Sequence, residues 1–315
     1  MFTFNVLKRG SESVKKYDLI VIGAGPAGLT AGIYGGRAGL KVAILDSGLS
    51  GGQLLTIDVI ENWPGEMSIS GQDLAKKIRS HASKYAEIYE MTDVTRIQSV
   101  GNEFQIETSS GTFISKAIIF ATGAKRKKLN VPGEKELTGK GVSYCAVCDG
   151  SFFIGKRVIV VGGGNTAFSD AIYLKSIGVD VILVHRRTSF RAFKALVDRA
   201  RELGIVFKTP YVVRKILGEE KVEGVIVENV ETGRSEELRV EGVFIAIGLE
   251  PNSKLAKELG VDVDEQGFIK VDRNMRTNVP RVYAAGDVTG GLMQVIKATA
   301  EGAIAALSAH EDLAS

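Results

Sequence analysis

Residues 17–46 read YDLIVIGAGPAGLTAGIYGGRAGLKVAILD, an apolar run, a glycine turn, a small-residue helical pattern and a second apolar run that ends in an acid. That order predicts a strand, helix, strand unit. Gly23, Gly25 and Gly28 give the G-x-G-x-x-G spacing. In such a turn the first glycine makes the bend, the second lets a diphosphate approach the backbone, and the third lets helix and strand pack closely. Asp46 lies 18 residues past Gly28, near the separation of about 20 at which a carboxylate reaches a ribose 2′-hydroxyl. A turn that served packing alone would leave the position of this acid unexplained. The unit is read as a site for a dinucleotide with a free ribose, such as FAD or NAD.

Residues 157–187, RVIVVGGGNTAFSDAIYLKSIGVDVILVHRR, repeat the plan with Gly162 and Gly164, and Ala167 stands at the third fingerprint position. A small residue suffices there, because the position serves only close packing. The second strand of this unit ends in His185, Arg186 and Arg187, with Arg191 following. Arginines where the first unit has a carboxylate suit a ribose 2′-phosphate, so the second site is read as one for NADP. The plainer alternative for HRRTSFR is a solvated basic turn.

Two further segments, AIIFATGAKRK (117–127) and GVFIAIGLEPN (242–252), are apolar strands that end in A-x-G. They bracket the second unit. The fold class expected is α/β, with two Rossmann-like dinucleotide-binding domains and the second inserted into the first: residues 1–124, then 125–248, then 249–315. The returning segment RVYAAGDVTGGLMQVIKATAEGAIAALSAH predicts a strand to Gly286 and Asp287 and a helix from about Met293 or Gln294. A loop carboxylate before a helix N-terminus can hold a polyol and the polar edge of a ring. It fits an ordinary Asp-capped turn equally well. The basic cluster KRKK (125–128) is read as a solvated loop at the domain junction.

With 315 residues the chain can bury its own core without crosslinks. A net charge of +3 from 40 basic and 37 acidic side chains gives no field suited to nucleic acid. No apolar run is long enough for a membrane span, and MFTFNVLKRGSESVKKYD lacks the apolar stretch of a secretory leader. Cytoplasm is the expected location. The chain has two cysteines, both in YCAVCDGS (144–151). A structural zinc would want four ligands, and His81, His185 and His310 are scattered, so no metal is expected. A static disulfide across so short a loop would contribute little in a reducing compartment. The third reading is a disulfide that cycles, which needs an attacking sulfur, a resolving sulfur and a proton carrier, roles that Cys145, Cys148 and Asp149 can fill between them.

GAGPAG, GGQL (51–54), ENWPG (61–65), ATGA (121–124), CAVCDG (145–150), HRR and GDV (286–288) occur here in an order that resembles the low-molecular-weight thioredoxin reductases, within the class-II pyridine nucleotide-disulfide oxidoreductases. The resemblance runs from about residue 17 to residue 306. Its most specific part is the C-x-x-C-D placed 14 residues before the second glycine loop. It implies FAD held by Gly23, Gly25, Pro26, Ala27, Gly28, Asp46, Gly52, Gln53, Leu54, Asn62, Val94, Ala121, Thr122, Gly123, Gly286, Asp287, Gln294 and Val295. It implies NADPH held by Gly162, Gly164, Asn165, Thr166, His185, Arg186, Arg187, Arg191, Ile247 and Gly248.

In the reaction implied, NADPH reduces FAD, the flavin reduces Cys145–Cys148 through Cys148, Cys145 attacks the disulfide of thioredoxin or a thioredoxin- or glutaredoxin-like protein, and Asp149 handles the proton. Because cysteines and NADPH site share the inserted domain, that domain is expected to rotate between half-reactions. A homodimer is expected from the same resemblance, with neither nucleic acid nor membrane as partner. Three positions depart from the pattern: Asp46 where Glu is usual, GGGNTA where GGGDSA is more common, and Met293 where Arg is typical. Peroxiredoxin-reducing flavoproteins share this core but usually carry an added N-terminal thioredoxin-like domain, and ferredoxin-NADP reductases of similar fold lack the C-x-x-C. A flavin-binding redox sensor would be told apart by the absence of sustained NADPH consumption.

Overall fold

In the structure, a computed structural model, residues 14–57 and 59–315 are described. The N-terminal stretch read against a leader lies largely outside them. The described residues divide into two compact units: the first joins those up to 125 to 250–315, and the second is 126–249.

The first unit opens with β1 (Lys15–Ile22), α1 (Pro26–Arg37) and β2 (Val42–Leu45). Leu19, Ile20, Val21 and Ile22 are all buried, as are all four residues of β2. Continuous apolar runs of this kind suit parallel strands covered on both faces. Pro26, which has no N–H to leave unpaired, is the first helical residue after the Gly25 N-cap. Then come α2 (Gly71–Ala82), β3 (Glu87–Tyr89), β4 (Val94–Val100), β5 (Glu103–Thr108) and β6 (Gly111–Phe120). Ser70 caps α2 by accepting the Asp73 N–H at 3.0 Å. The strand order is β3-β2-β1-β6-β5-β4. Strands β3, β2, β1 and β6 are parallel, and β4 and β5 form an antiparallel extension.

After β7 (Ala124–Arg126) the chain enters the second unit: β8 (Val142–Ser143), the single turn α3 (Ala146–Asp149), β9 (Arg157–Val161), α4 (Asn165–Ser176), β10 (Asp180–Val184), α5 (Lys194–Glu202) and β11 (Val206–Lys208). Next come β12 (Tyr211–Leu217), β13 (Gly224–Asn229), β14 (Ser235–Arg239) and β15 (Gly242–Ile245). A parallel sheet of order β11-β10-β9-β15-β8 carries the glycine loop, and β12-β13-β14 form a separate antiparallel sheet. One core of this unit gathers Val158, Val160, Phe168, Leu174, Leu183 and Phe244 between sheet and helices.

Strand β16 (Leu249–Pro251) pairs with β7, so the two crossings form a two-stranded ribbon. The return to the first unit adds α6 (Lys254–Glu258), β17 (Val282–Ala284) and the long α7 (Val295–Ala314). Strand β17 lies parallel to the C-terminal end of β6, and α7 packs along α1. Arg276 anchors the far end of α7 by donating to both oxygens of Asp312, at 2.8 and 2.9 Å. Among the described residues no helix is long and apolar enough to cross a membrane.

Candidate active site

The three fingerprint glycines of the first unit divide the work as their spacing predicts. Gly23 has φ +108°, and a Cβ there would sit 2.3 Å from the Ala121 carbonyl oxygen. A Cβ on Gly28 would meet the Gly23 carbonyl oxygen at 1.8 Å. Around Gly25, in contrast, a Cβ would meet nothing within 4 Å. The backbone therefore closes tightly on the protein side and opens on the other, at the start of α1, where N–H groups and the helix dipole favour a diphosphate. Asp46 follows β2 and ties the turn together: its carboxylate accepts the Ala24 N–H at 2.6 Å and the Gly48 N–H at 2.8 Å. Each oxygen keeps a further lone pair for a ribose hydroxyl.

Residues far apart in sequence converge near this loop. Gln53 donates through Nε2 to the Ala124 carbonyl at 2.8 Å and to Asp287 Oδ2 at 3.2 Å. Asn62 donates through Nδ2 to Gln294 Oε1 at 3.0 Å, and Gln294 is the N-cap of α7. Gly52 faces the Gly25 backbone, since a Cβ there would lie 3.2 Å from the Gly25 Cα. Thr122 donates its hydroxyl to the Asn252 carbonyl at 2.7 Å, and the Asn252 amide returns a bond to the Thr122 carbonyl at 2.8 Å. Asn252 was not singled out from sequence, because its partner is 130 residues away. Leu54 and Val94 are buried and pack in apolar clusters, which leaves only their backbones for a ligand.

In the second unit Gly164 is open as Gly25 is, and Gly162 (φ +153°) faces the Ala246 carbonyl as Gly23 faces that of Ala121. The paired A-x-G segments thus place one carbonyl against each first glycine. Gly163 has its own reason: a Cβ there would collide with the His185 ring at 2.4 Å. Burial, and then Arg186, Arg187 and Arg191, hold the His185 pKa below its usual value, so this imidazole packs neutral on the loop. The basic turn is anchored at several points. Phe190 stacks edge-on with Phe168 and Phe207 at 5.0 and 5.4 Å, the Arg191 N–H donates to the Gly163 carbonyl, and the Phe193 N–H to Asn165 Oδ1 at 2.8 Å. Arg186, Arg187 and Arg191 project exposed from it.

Cys145 and Cys148 are joined as a disulfide, with Cα atoms 5.3 Å apart. Cys145 caps α3, its sulfur accepting the Cys148 N–H at 3.3 Å. Asp149 ends that turn, and its Oδ2 accepts the hydroxyl of buried Ser143 at 2.5 Å. Ser143 in turn accepts the Cys145 N–H at 3.0 Å. Ser143 therefore links the carboxylate to the backbone of the first cysteine, a role no sequence motif announced. Cys145 is half-buried and Cys148 exposed.

In the KRKK cluster Lys125, Lys127 and Lys128 are exposed, as a solvated segment requires, and Arg126 alone departs from that reading. Lys125 and Arg126 belong to β7, and half-buried Arg126 donates to the Tyr144 carbonyl with its guanidinium 5.9 Å from the Tyr144 ring centre. Tyr144 donates to buried Glu134 at 2.7 Å, and burial together with that bond holds its phenol protonated. Arg126 also acts on Asp170 of α4, whose carboxyl burial pushes up to about 6 against the pull of the guanidinium. A raised acid contributes stability below its unfolded value of 3.8 and loses it as pH rises through about 6. Asp170→Asn is therefore expected to be more stable than the wild type above pH 6, by roughly 3 kcal/mol. The gap should close on titrating to pH 4; a constant gap would show that charge on Asp170 is not its cause.

A tight glycine loop with an acid, a second with arginines, and a disulfide in a C-x-x-C-D turn define a nucleotide-dependent disulfide oxidoreductase. The family model for pyridine nucleotide-disulphide oxidoreductases matches residues 17–302, and the chain belongs to that family. It is 42% identical to the thioredoxin reductase of Listeria monocytogenes over 301 residues, 94% of each chain. It is 42% identical to that of Bacillus subtilis over 298 residues, 93% of this chain and 94% of the other. Among solved structures it is similar to the thioredoxin reductase of Streptococcus pyogenes, with 41% identity and a TM-score of 0.88 over 96% of this chain and 99% of the other.

Proposed function

We propose that this chain is an NADPH-dependent flavoprotein that reduces the disulfide of thioredoxin or a thioredoxin-like protein. The observation that carries the reading is the Cys145–Cys148 disulfide in the same compact unit as the arginine-flanked glycine loop, with the acid-flanked loop in the other unit. The first unit is then the FAD domain and the second the NADPH domain. Gly23, Gly25, Gly28 and the first turn of α1 cradle the FAD diphosphate, Asp46 takes the ribose, and Gln53, Asn62, Asp287 and Gln294 hold the remainder. Gly162, Gly164, Asn165 and Thr166 take the NADPH diphosphate, and Arg186, Arg187 and Arg191 the 2′-phosphate. Bound FAD would relay two electrons from NADPH to the disulfide.

The protein's own chemistry begins with the dithiol. The Cys145 thiolate attacks the partner disulfide, releases one partner thiolate and forms a mixed disulfide; the Cys148 thiolate attacks Cys145 of that bond, restores Cys145–Cys148 and releases the second thiolate. Asp149, held by Ser143, shuttles the protons. The Cys148 N–H on the Cys145 sulfur stabilises a thiolate there. Because cysteines and NADPH site share one unit, the second unit turns on its two connections between half-reactions. The active species is a homodimer working in the cytoplasm. Exposed Ile296, Ile304 and Leu307 fall on one face of α7 and suit contact with a second copy.

The test counts thiols released from thioredoxin by the FAD-loaded protein with each nicotinamide donor. Release with NADPH and little with NADH is expected. No release with either donor, from protein whose flavin spectrum is intact, would overturn the assignment.

A further inference from the structure

Asp287 stands on a short turn, Asp287–Thr289, between two glycines in the left-handed region, Gly286 at φ +84° and Gly290 at φ +78°. Such a turn has little conformational preference of its own. Two side chains of α7 hold it. Lys297 donates through Nζ to the carbonyls of Gly286 at 3.0 Å and Gly290 at 2.7 Å and to the Thr289 hydroxyl at 2.9 Å. Glu301, one helical turn on, accepts through Oε2 the Gly286 N–H at 2.8 Å and the Thr289 hydroxyl at 3.0 Å. The two side chains pair at 2.9 Å, with exposures of 17% and 15%.

This arrangement has a cost that the helix alone does not repay. Lys297 is the third residue of α7, where the dipole disfavours a cation. Its ammonium is also largely withdrawn from water, as is the Glu301 carboxylate, and a buried pair of this kind is weak evidence for stability. What the pair does secure is geometry: the two glycines that flank the turn and the Thr289 hydroxyl are fixed from one helix. We propose that Lys297 and Glu301 are positioning residues, a charge-neutral clamp that presents the Asp287 carboxylate and keeps net charge away from the flavin. The inference rests on FAD binding in the first unit. Neither residue figures among the ligands that the sequence implied.

Three variants test it: Glu301→Ala, which removes acceptor and charge; Glu301→Gln, which keeps an acceptor for Gly286 but removes the charge; and Lys297→Met. Hydrogen exchange of residues 286–290, measured without added FAD, is expected to quicken at least about tenfold in Glu301→Ala and much less in Glu301→Gln. FAD dissociation constants should rise about tenfold in Glu301→Ala. In the loaded proteins the flavin midpoint potential should rise in Glu301→Gln, where the ammonium is left uncompensated, and fall in Lys297→Met, where the carboxylate is. A residue that only stabilised the fold would move both potentials the same way. Unchanged exchange at 286–290 would overturn the clamp, and faster exchange with unchanged FAD affinity and potentials would overturn its positioning role. Failure of the wild type itself to take up FAD would overturn the function proposed above and this inference with it.

Discussion

Cys148→Ser is expected to lose at least roughly 10³-fold in thioredoxin-reducing turnover, about 4 kcal/mol of barrier, while NADPH still bleaches its bound flavin. The cause is electron bookkeeping at sulfur. With one thiol gone there is no disulfide to receive the flavin's electron pair and none to regenerate. The surviving Cys145 can still attack a partner, but nothing resolves the mixed disulfide, so a one-to-one covalent adduct should accumulate on a non-reducing gel. Cys145→Ser should lose turnover equally and form no such adduct.

The two cysteines differ in ways that point in opposite directions. Exposure favours Cys148 as the attacking sulfur, since Cys145 is half-buried. The Cys148 N–H bonded to the Cys145 sulfur favours Cys145, because a donor aimed at sulfur stabilises the thiolate. The hydrogen bond decides for Cys145, since attack depends on thiolate character. An adduct formed by Cys145→Ser and absent from Cys148→Ser would reverse the assignment.

The parts of the site legible in sequence are those set by local geometry. Gly23, Gly25 and Gly28 lie within one turn, and Asp46 falls at a spacing fixed by one strand, one helix and another strand. The same holds for Gly162, Gly164 and the arginines after β10. The parts that were missed depend on contacts between distant segments. Asn252 braces Thr122 across 130 residues, and Arg126 reaches Tyr144 across 18. No periodicity records either pairing. Ser143 is nearer its partner but carries no motif, because many residues can occupy a short buried strand. Lys297 and Glu301 have the i,i+4 spacing of an ordinary surface pair, and only their low exposure and the turn packed on them give the pair another meaning. The antiparallel β12-β13-β14 sheet was likewise not read, since its strands announce neither glycine loop nor charge pattern.

Replacing Arg186, Arg187 and Arg191 together by alanine is expected to raise the KM for NADPH about 100-fold. Catalysis with NADH should change by less than about threefold. The turn that carries these arginines is held from beneath by Phe190, by the Arg191 backbone on Gly163 and by the Phe193 backbone on Asn165, so loss of the three charges should leave its path intact. Each exposed arginine contributes about 1 kcal/mol to a screened contact with a dianionic phosphate, well below the value of a buried pair. Three together give roughly 3 kcal/mol, a factor of about 100 in affinity. NADH carries a hydroxyl in place of that phosphate and has no comparable contact to lose. Screening supplies an internal check: the wild-type preference for NADPH should shrink as ionic strength rises, because the Debye length falls from about 10 Å at 0.1 M to about 3 Å at 1 M. The triple variant should show no such salt dependence. If both nicotinamides lose equally, the arginines hold the turn rather than the 2′-phosphate; if neither does, the nucleotide reaches the second glycine loop without them and donor preference is set elsewhere.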